Sequence, residues 1–373
     1  IQNKLNNNPI NQNNIFNELR KNNFHFLILK ENSKISLKEG KFPVNTIFSQ
    51  KTVNDSIFVF LDPMFNFLQF YNYNNGQFVK YEFIPENLKF YYYDSTKHNI
   101  LLWRVADTMN AVFNFREIIK CSDNLKLYKC LILDGYSYEK LSNGRDDYVL
   151  YQSIAILKEE NHSTNLIKIN KSDSYISNVN LSQANKNFIA LLDVDWSLPD
   201  TNKTIFTKEL PILALYDSNF NFIKYLLRYK DLIHEGDMLT NNFINFYTVS
   251  ENGSSYLLTK EYSKFISVSE DTTFLITPFK TLKNWIEDKD TSLFFEALLT
   301  DKDKIVCLIS NSFTNSFIFD IYDSSGRFIN EINIANQSLN YKQLTPLAIK
   351  DNTIILLIQD EEENWFINKY IFE

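Results

Sequence analysis

The sequence has 373 residues, a formal net charge of −7 and 44% hydrophobic residues. Acidic and basic side chains are mixed along the chain and form no basic stripe, so the composition argues against a nucleic-acid partner. No apolar run reaches the roughly 18 residues that a membrane-spanning helix needs, and the sequence therefore predicts no transmembrane segment. The length suits one large all-β domain or two ordinary domains.

The beginning of the chain differs in composition from the rest. Residues 1–22 are rich in asparagine, which favours a flexible leader. Apolar residues at Ile10, Ile15 and Leu19 predict one short helix within this leader. From residue 23 onward no linker rich in Pro, Gly or Ser divides the chain, so we predict a single domain over 23–373.

A hairpin motif recurs along this domain. Segments 216–223 and 322–329 both read Tyr-Asp-Ser-x-x-x-Phe-Ile. Asp, Ser, Asn and Gly suit the turn, and the flanking aromatic and β-branched residues suit strands. Looser copies begin at residues 29, 73, 121, 169 and 268, which gives a mean spacing of about 49 residues, close to the length of a four-stranded propeller blade.

The repeat predicts an all-β fold, a β-propeller of four-stranded blades. Six complete repeats and one blade shared by the head and the tail would make seven blades, which we favour, and six blades is the close alternative. The head has strand character at 24–30, and the tail offers about three strands where a blade needs four. We therefore expect strands from both termini to share one blade and close the ring. Phe222 and Phe328 are expected to occupy equivalent, buried positions on the same strand of two blades.

Few residues have the pattern of a catalytic or metal site. Seven glycines form neither a P-loop nor a dinucleotide-binding fingerprint, so we predict no cofactor. Asp193 and Asp195 alternate at a predicted strand end, which places both carboxylates on one side of the strand. They are the candidate metal ligands, and a solvated strand end is the alternative. Cys121, Cys130 and Cys307 are interpreted as buried free thiols, with a Cys121–Cys130 bond across a hairpin as the alternative.

The loops of one propeller face converge around the central channel, where ligands and partners bind. With the predicted strands, this face includes the loops at 104–110, 134–147, 196–203, 228–242 and 278–290. Long loops on a repeat scaffold are usually functional. The candidate ligand-binding residues on this face are Arg104, Arg145, Trp196, Lys230, His234 and Trp285.

Three segments resemble a known family. The hairpin at 321–329, Ile-Tyr-Asp-Ser-Ser-Gly-Arg-Phe-Ile, looks like the blade hairpin of NHL-like β-propellers. The segment that starts at 346–354 and runs to Lys369-Tyr370 resembles the last blade of the exported six-bladed propeller lipoproteins of Bacteroidota, and 56–82 is similar to an early blade of that group. Glycine is scarcer here than in the hairpins of the family.

The resemblance implies export to the periplasm, the outer-membrane surface or the extracellular space, often with a lipid anchor upstream of Ile1. It implies no particular catalysis. We therefore predict a non-catalytic binding or scaffold protein of the cell envelope, which recognises a protein or a glycan through loops on one propeller face. The scarcity of histidine and glycine favours this function over catalysis. The alternative is a propeller-type hydrolase or lyase that uses Asp193 and Asp195 with a bound metal.

Overall fold

The computed structural model describes residues 27–38, 49–62, 67–83, 92–94, 99–101, 114–140, 146–161, 163–169, 176–194, 209–232, 244–250, 252–259, 264–286, 292–301, 303–334 and 341–373. These residues form six sheets of four antiparallel strands and one separate two-stranded hairpin. The first strands of the six sheets contact one another in a closed cycle, so the protein is a six-bladed β-propeller. The predicted leader at 1–22 lies outside the described residues, and the domain bounds 23–373 remain a prediction.

The first strand of the chain, β1 (Leu29–Ser36), belongs to the last blade. Blade 1 contains β2 (Ser49–Thr52), β3 (Ile57–Asp62), β4 (Phe67–Asn72) and β5 (Phe78–Phe83). The separate hairpin follows, with β6 (Tyr92–Asp94) and β7 (Asn99–Leu101). Blade 2 contains β8 (Asn114–Cys121), β9 (Leu125–Lys140), β10 (Asp146–Glu160) and β11 (Ser163–Lys168). Blade 3 contains β12 (Ile176–Ala184), β13 (Asn187–Val194), β14 (Pro211–Tyr216) and β15 (Phe222–Arg228), followed by a 3-10 turn (Tyr229–Asp231).

Blade 4 contains β16 (Ile244–Val249), β17 (Ser255–Thr259), β18 (Phe265–Val268) and β19 (Thr273–Ile276). Helix α1 (Lys280–Ile286) lies between blades 4 and 5. Blade 5 contains β20 (Leu293–Thr300), β21 (Lys304–Asn311), β22 (Ser316–Asp323) and β23 (Phe328–Ile334). Blade 6 contains β24 (Tyr341–Lys350), β25 (Thr353–Asp360) and β26 (Trp365–Phe372), and β1 completes it as the outermost strand.

Neighbouring strands of a blade run antiparallel, so the connections leave the ring on two opposite faces. The hairpins that join first to second strands and third to fourth strands lie on one face, which we name the hairpin face. The hairpins that join second to third strands, and the connections from blade to blade, lie on the other face, which we name the connection face. Of the loops predicted to bind ligand, the described parts at 228–232 and 278–286 lie between blades and therefore on the connection face.

The ring is closed by strands from both ends of the chain. Strand β1 pairs with β26 in antiparallel register, with Leu29 opposite Phe372. The pairing extends beyond both strands, because Ile28 and Glu373 exchange two backbone hydrogen bonds of 2.7 and 2.8 Å. The predicted closure is confirmed. The strand begins later than the predicted 24–30, of which 24–26 lie outside the described residues.

The prediction of seven blades is wrong, because the described residues form six. The copy at residue 121 is the hairpin between β8 and β9, the first two strands of blade 2. The copy at residue 169 follows β11 and leads from one blade to the next. Apolar residues flank nearly every hairpin of an all-β chain. The loose motif therefore matched connections that are not structurally equivalent.

The two strict copies are equivalent. Both join the third and fourth strands of a blade, β14 to β15 and β22 to β23. Tyr216 and Tyr322 are fully buried, and each meets the first aromatic residue of the next strand edge-on. The ring centroids are 5.9 Å apart for Tyr216 and Phe222, and 5.8 Å apart for Tyr322 and Phe328. Such edge-to-face pairs add to the free energy gained by burial alone.

Blade 1 carries a third copy of this pair, in which Tyr71 and Phe78 are 5.5 Å apart. The motif in this blade therefore begins at Tyr71 and not at Tyr73. Phe222 and Phe328 are half-buried and not buried as predicted, because they lie on the outermost strand of their blades. The buried partner in each pair is the tyrosine.

Apolar clusters fill the seams between neighbouring blades. Between blades 1 and 2, for example, Val59 and Phe70 pack with Ile118 and Tyr128. Cys121 and Cys130 belong to the same cluster, and Cys307 belongs to the cluster between blades 4 and 5. All three cysteines are free and buried, which confirms the predicted thiols.

The strict hairpins share one turn geometry. Asp323 donates its N–H to the carbonyl of Arg327 at 2.9 Å, and Gly326 donates its N–H to the carbonyl of Asp323 at 2.9 Å. The Asp323 carboxylate accepts the N–H groups of Ser325 and Arg327 at 2.9 and 3.0 Å. Gly326 has the left-handed φ of +79° that a three-residue loop with a bulge requires. Phe220 holds the corresponding position with φ +62°, which is costly for a bulky residue.

Replacing Gly326 by alanine should destabilise the protein by about 1–3 kcal/mol, because a Cβ there would lie 2.6 Å from Cγ1 of Ile276 on blade 4. Gly253→Ala is the matched control. Gly253 also has a left-handed φ, of +91°, but its Cβ would meet nothing closer than 3.5 Å. Chemical denaturation of both variants separates backbone strain from the clash, and equal losses would contradict the packing argument.

Deletion of Trp365–Glu373 should unfold or aggregate the whole protein. The deleted segment includes β26, whose Ile367 and Tyr370 are fully buried. Its loss leaves β1 without a partner strand and opens one edge of β25, which keeps only β24. Size-exclusion chromatography and thermal unfolding measure the outcome. A soluble, cooperatively folded deletion variant with an unchanged melting temperature would rule out the shared-blade closure.

Candidate functional site

Two of the residues that the sequence predicted to bind ligand lie on the connection face. Lys230 and Trp285 lie among the described residues. The other predicted ligand residues, Arg104, Arg145, Trp196 and His234, lie outside them, as does the predicted metal ligand Asp195. The described part of this face includes the segment that follows blade 3, and helix α1 with the adjoining part of blade 5.

Lys230 takes part in a charged cluster beyond the end of β15. Its ammonium lies 2.9 Å from Oε2 of Glu209. The Arg228 guanidinium lies 3.8 Å from the same carboxylate oxygen and 4.5 Å from the centre of the Tyr225 ring. Lys230 and Glu209 are exposed, so their ion pair contributes at most about 1 kcal/mol to stability. The cluster presents charge to solvent on the connection face without any strained or buried group.

Trp285 lies on helix α1 and packs mainly against the protein itself. Its ring centroid is 4.9 Å from that of Phe295 and 6.2 Å from that of Phe246. Leu282 and Ile286 of the same helix are buried. The half-buried indole therefore anchors α1 over the seam between blades 4 and 5, and any contact with a ligand would involve its remaining exposed edge.

Two carboxylates of blade 5 hold the start of α1. Leu282 donates its N–H to Oδ2 of Asp320 at 3.1 Å, and the Thr281 hydroxyl donates to Oε2 of Glu331 at 2.5 Å. Asp320 is completely buried on β22, directly opposite Glu331 on β23. Burial raises the pKa of Asp320 well above its ordinary value, and the neighbouring Glu331 charge raises it further. The helix is thus fastened to the blade by a polar contact inside the protein.

Next to this anchored helix, blade 5 exposes two phenylalanine rings. Phe313, at the tip of the hairpin between β21 and β22, is 88% exposed, and Phe294 on β20 is 52% exposed. The hairpin is held in place because Ser312 donates its N–H to the carbonyl of Ser292 at 2.9 Å. Asn311 orders the tip by accepting the N–H groups of Phe313 and Thr314 at 3.0 and 3.1 Å. We name Phe294 and Phe313 the aromatic rim.

Neither residue of the aromatic rim was predicted from the sequence. Phe313 stands alone among polar turn residues at 311–316, and that isolation is a signal that could have marked it. Phe294 has no such signal, because it lies in an apolar strand beside the buried Leu293 and Phe295. Only the tertiary structure shows which of these residues remain exposed.

Asp193 belongs to a polar network between blades 2 and 3. The buried Lys129 donates to Oδ1 of Asn180 at 2.5 Å and lies 3.4 Å from the Glu117 carboxylate. Asn180 in turn donates to Oδ2 of Asp193 at 3.4 Å. Asp193 is exposed at the outer end of this network. The contact gives its carboxylate a structural role that needs no metal.

The described residues contain no group of three or more His, Cys, Asp or Glu side chains placed to hold a metal ion. Asp193 and Asp195 as metal ligands therefore remain a prediction, since Asp195 lies outside those residues. Within the same part of the chain, no helix has both the length and the apolar character needed to cross a membrane.

Two solved structures have a similar architecture. One is a presumed exported protein of Bacteroides fragilis NCTC 9343, with 10% identity and a TM-score of 0.44, over 92% of this chain and 95% of that chain. The other is the WD40 β-propeller domain of Doa1, with 12% identity and a TM-score of 0.39, over 92% of this chain and 97% of that chain. No protein-family model and no curated protein matches the sequence. At these similarities, the comparisons carry no argument about function.

Asp320→Asn should flatten the pH dependence of stability. The folded state raises the pKa of Asp320, so the stability contributed by its proton is present below the unfolded pKa of about 3.9 and is lost as pH rises through the folded value. The amide cannot ionise but can still accept the N–H of Leu282. We expect urea denaturation to show that the variant loses at least about 1 kcal/mol less than the parent between roughly pH 5 and pH 8.

Asp271→Asn is the control for this experiment, because it makes the same chemical replacement on an exposed hairpin of blade 4. The pH profile of the control should follow that of the parent protein. If Asp320→Asn has the same profile as the parent, Asp320 does not hold a buried proton.

Proposed function

We propose that the protein is a non-catalytic binding or scaffold propeller of the cell envelope, which recognises a protein or a glycan through its connection face. The aromatic rim is the observation that carries this proposal. Export to the envelope rests on the family resemblance of the hairpin sequences. The remaining contacts proposed on this face are Arg104, Arg145, Trp196, Lys230, His234 and Trp285.

Exposed aromatic rings at a fixed position are costly to leave in water and effective in recognition. An aromatic side chain provides a large contact area with few rotatable bonds, and such residues dominate the binding energy of interfaces. Phe313 stands on a hairpin whose backbone is ordered by Asn311 and Ser312, so little further entropy is lost when a partner covers it. The rim therefore has the properties of a preformed contact.

The geometry of the described residues favours binding over catalysis. A hydrolase needs a nucleophile or a metal-bound water within reach of an acid or base. In the polar network around Lys129, the charged groups instead hold one another across the seam between two blades. Asp320, the blade 5 carboxylate whose pKa is raised well above its ordinary value, is completely buried and accepts a backbone N–H of α1. These arrangements support a rigid scaffold.

The test is binding to the envelope of the source cells and to an array of purified glycans. We expect the parent protein to retain a defined envelope protein or glycan, and the double variant Phe294→Ala/Phe313→Ala to lose affinity roughly tenfold or more, since buried interface aromatics contribute about 1–2 kcal/mol each or more. Surface plasmon resonance with the retained component gives the affinities.

Leu275→Ala is the matched control, because Leu275 is 64% exposed on the outermost strand of blade 4. Its affinity for the retained component should equal that of the parent. Equal binding by the parent and the double variant would refute a role for the aromatic rim, and an absence of any specific envelope or glycan ligand would refute the proposed function.

A further inference from the structure

A second candidate site lies away from the connection face, in the seam between blades 1 and 2. A cleft of about 540 Å³ opens there between β5 of blade 1 and two hairpins of blade 2. Val53, Phe70 and Leu125 are its apolar lining residues, and the other lining residues are polar or charged. Its volume lies within the range of known small-molecule sites.

The interior of the cleft contains an ordered set of charges. The Lys126 ammonium lies 2.6 Å from Oε2 of Glu82 and 3.5 Å from Oε1 of Glu159, while Lys80 lies 2.6 Å from the other Glu82 oxygen. The side chain of Lys126 is only 15% exposed. Taking such a group out of water is expensive, and apolar residues of similar volume often give equal or greater stability. A half-buried charge triad therefore needs an explanation other than stability.

The position in blade 5 that corresponds to Glu82 has an apolar residue, Ile332. Glu82 is paired with Leu68 on the third strand of blade 1, and Ile332 is paired in the same way with Phe319 in blade 5. Ile332 packs into an apolar cluster that fills the seam between blades 5 and 6. Blade 1 thus has a carboxylate where the equivalent strand of blade 5 closes the seam with an aliphatic side chain.

The rim of the cleft is preorganised by the two hairpins of blade 2. Asn161 donates its N–H to the carbonyl of Asn124 at 3.2 Å, which ties the hairpins together. Ser122 and Leu125 close the first hairpin, with hydrogen bonds of 3.1 and 3.2 Å that involve the serine hydroxyl. Asn161 has a left-handed φ of +49°, which fixes where its amide projects. Both asparagines line the cleft.

The charge balance of the lining selects the kind of ligand. An anion would meet three carboxylates, of Glu82, Glu159 and Asp123, against the two ammonium groups that those carboxylates already neutralise in part. A cation would gain little, because Glu82 and Glu159 are both engaged by Lys126 and only Asp123, at the exposed rim, lies outside the triad. A neutral ligand that both donates and accepts hydrogen bonds fits the alternating ammonium, carboxylate and amide groups.

We infer that this cleft binds a neutral polyhydroxylated ligand, namely a mono- or disaccharide unit of a glycan. Each sugar hydroxyl can donate to a carboxylate or amide oxygen and accept from an ammonium or amide N–H, which is the pattern that the lining offers. The site is separate from the aromatic rim, because the two hairpins that form it belong to the hairpin face. Saccharide binding in this cleft can therefore be tested independently of the function proposed for the connection face.

The test is isothermal titration calorimetry of the whole protein with glucose, galactose, mannose, N-acetylglucosamine, lactose and cellobiose, with spermidine and glucose 6-phosphate as charged probes. We expect at least one neutral saccharide to bind with a millimolar dissociation constant that salt does not change. Asn161→Gly should weaken binding about threefold to tenfold, which corresponds to the loss of one hydrogen bond, while glycine keeps the left-handed turn intact.

Asn352→Gly is the matched control, because Asn352 also has a left-handed φ, of +62°, in a hairpin of blade 6. Its affinity should equal that of the parent, and Asp123→Asn should change affinity less than about twofold. Three results would overturn the inference: no heat from any neutral saccharide at about 50 mM, binding that Asn161→Gly leaves unchanged, or binding of spermidine alone that salt and Asp123→Asn abolish.

Discussion

The pairing of β1 with β26 is the constraint on which the rest of the structure depends. A propeller blade buries its two faces only against neighbouring blades, so a ring opened at one seam would expose two apolar blade faces at once. The N-terminal segment prevents this at three points. The Asn330 amide of blade 5 donates to the Leu27 carbonyl at 2.6 Å, β1 pairs along blade 6, and Lys38 donates its N–H to the carbonyl of Gly76 in blade 1 at 2.8 Å. The segment from Leu27 to Lys38 therefore joins three blades.

Within the closed ring, the seams differ in chemistry, and the differences locate the candidate sites. Most seam residues are aliphatic or aromatic and hold the blades together by burial. The seam between blades 1 and 2 has the same apolar interior, but its outer part carries Lys126 and Glu82 instead of apolar side chains. The seam between blades 4 and 5 carries helix α1, which Asp320 fixes from inside the protein. Polar groups thus occur where a cleft or a helix has to be held in position.

The strict hairpin motif was predictable because each of its residue types meets a different physical requirement of the hairpin. Asp323 supplies acceptors for the turn, Gly326 supplies the left-handed residue, and Tyr322 supplies the buried ring. The loose copies met only the requirement for apolar residues on both sides of a turn, which any hairpin of an all-β chain satisfies. The blade count therefore came out too high, even though the four-stranded repeat and the shared closing blade were predicted correctly. Phe220 shows a further limit, since burial against Phe188 lets a bulky residue take the place of glycine.

The sequence by itself determined the all-β class, the hairpin unit and the need to pair the two ends of the chain, because these follow from local periodicity, turn chemistry and unpaired strands. The tertiary structure alone decided that there are six blades, that Phe294 is exposed and that Asp320 is buried. It also decided that Glu82, Lys126 and Glu159 meet in one cleft. The physical reason is distance along the chain. These three residues lie on three strands of two blades, and no local pattern records which strands the closed ring brings together.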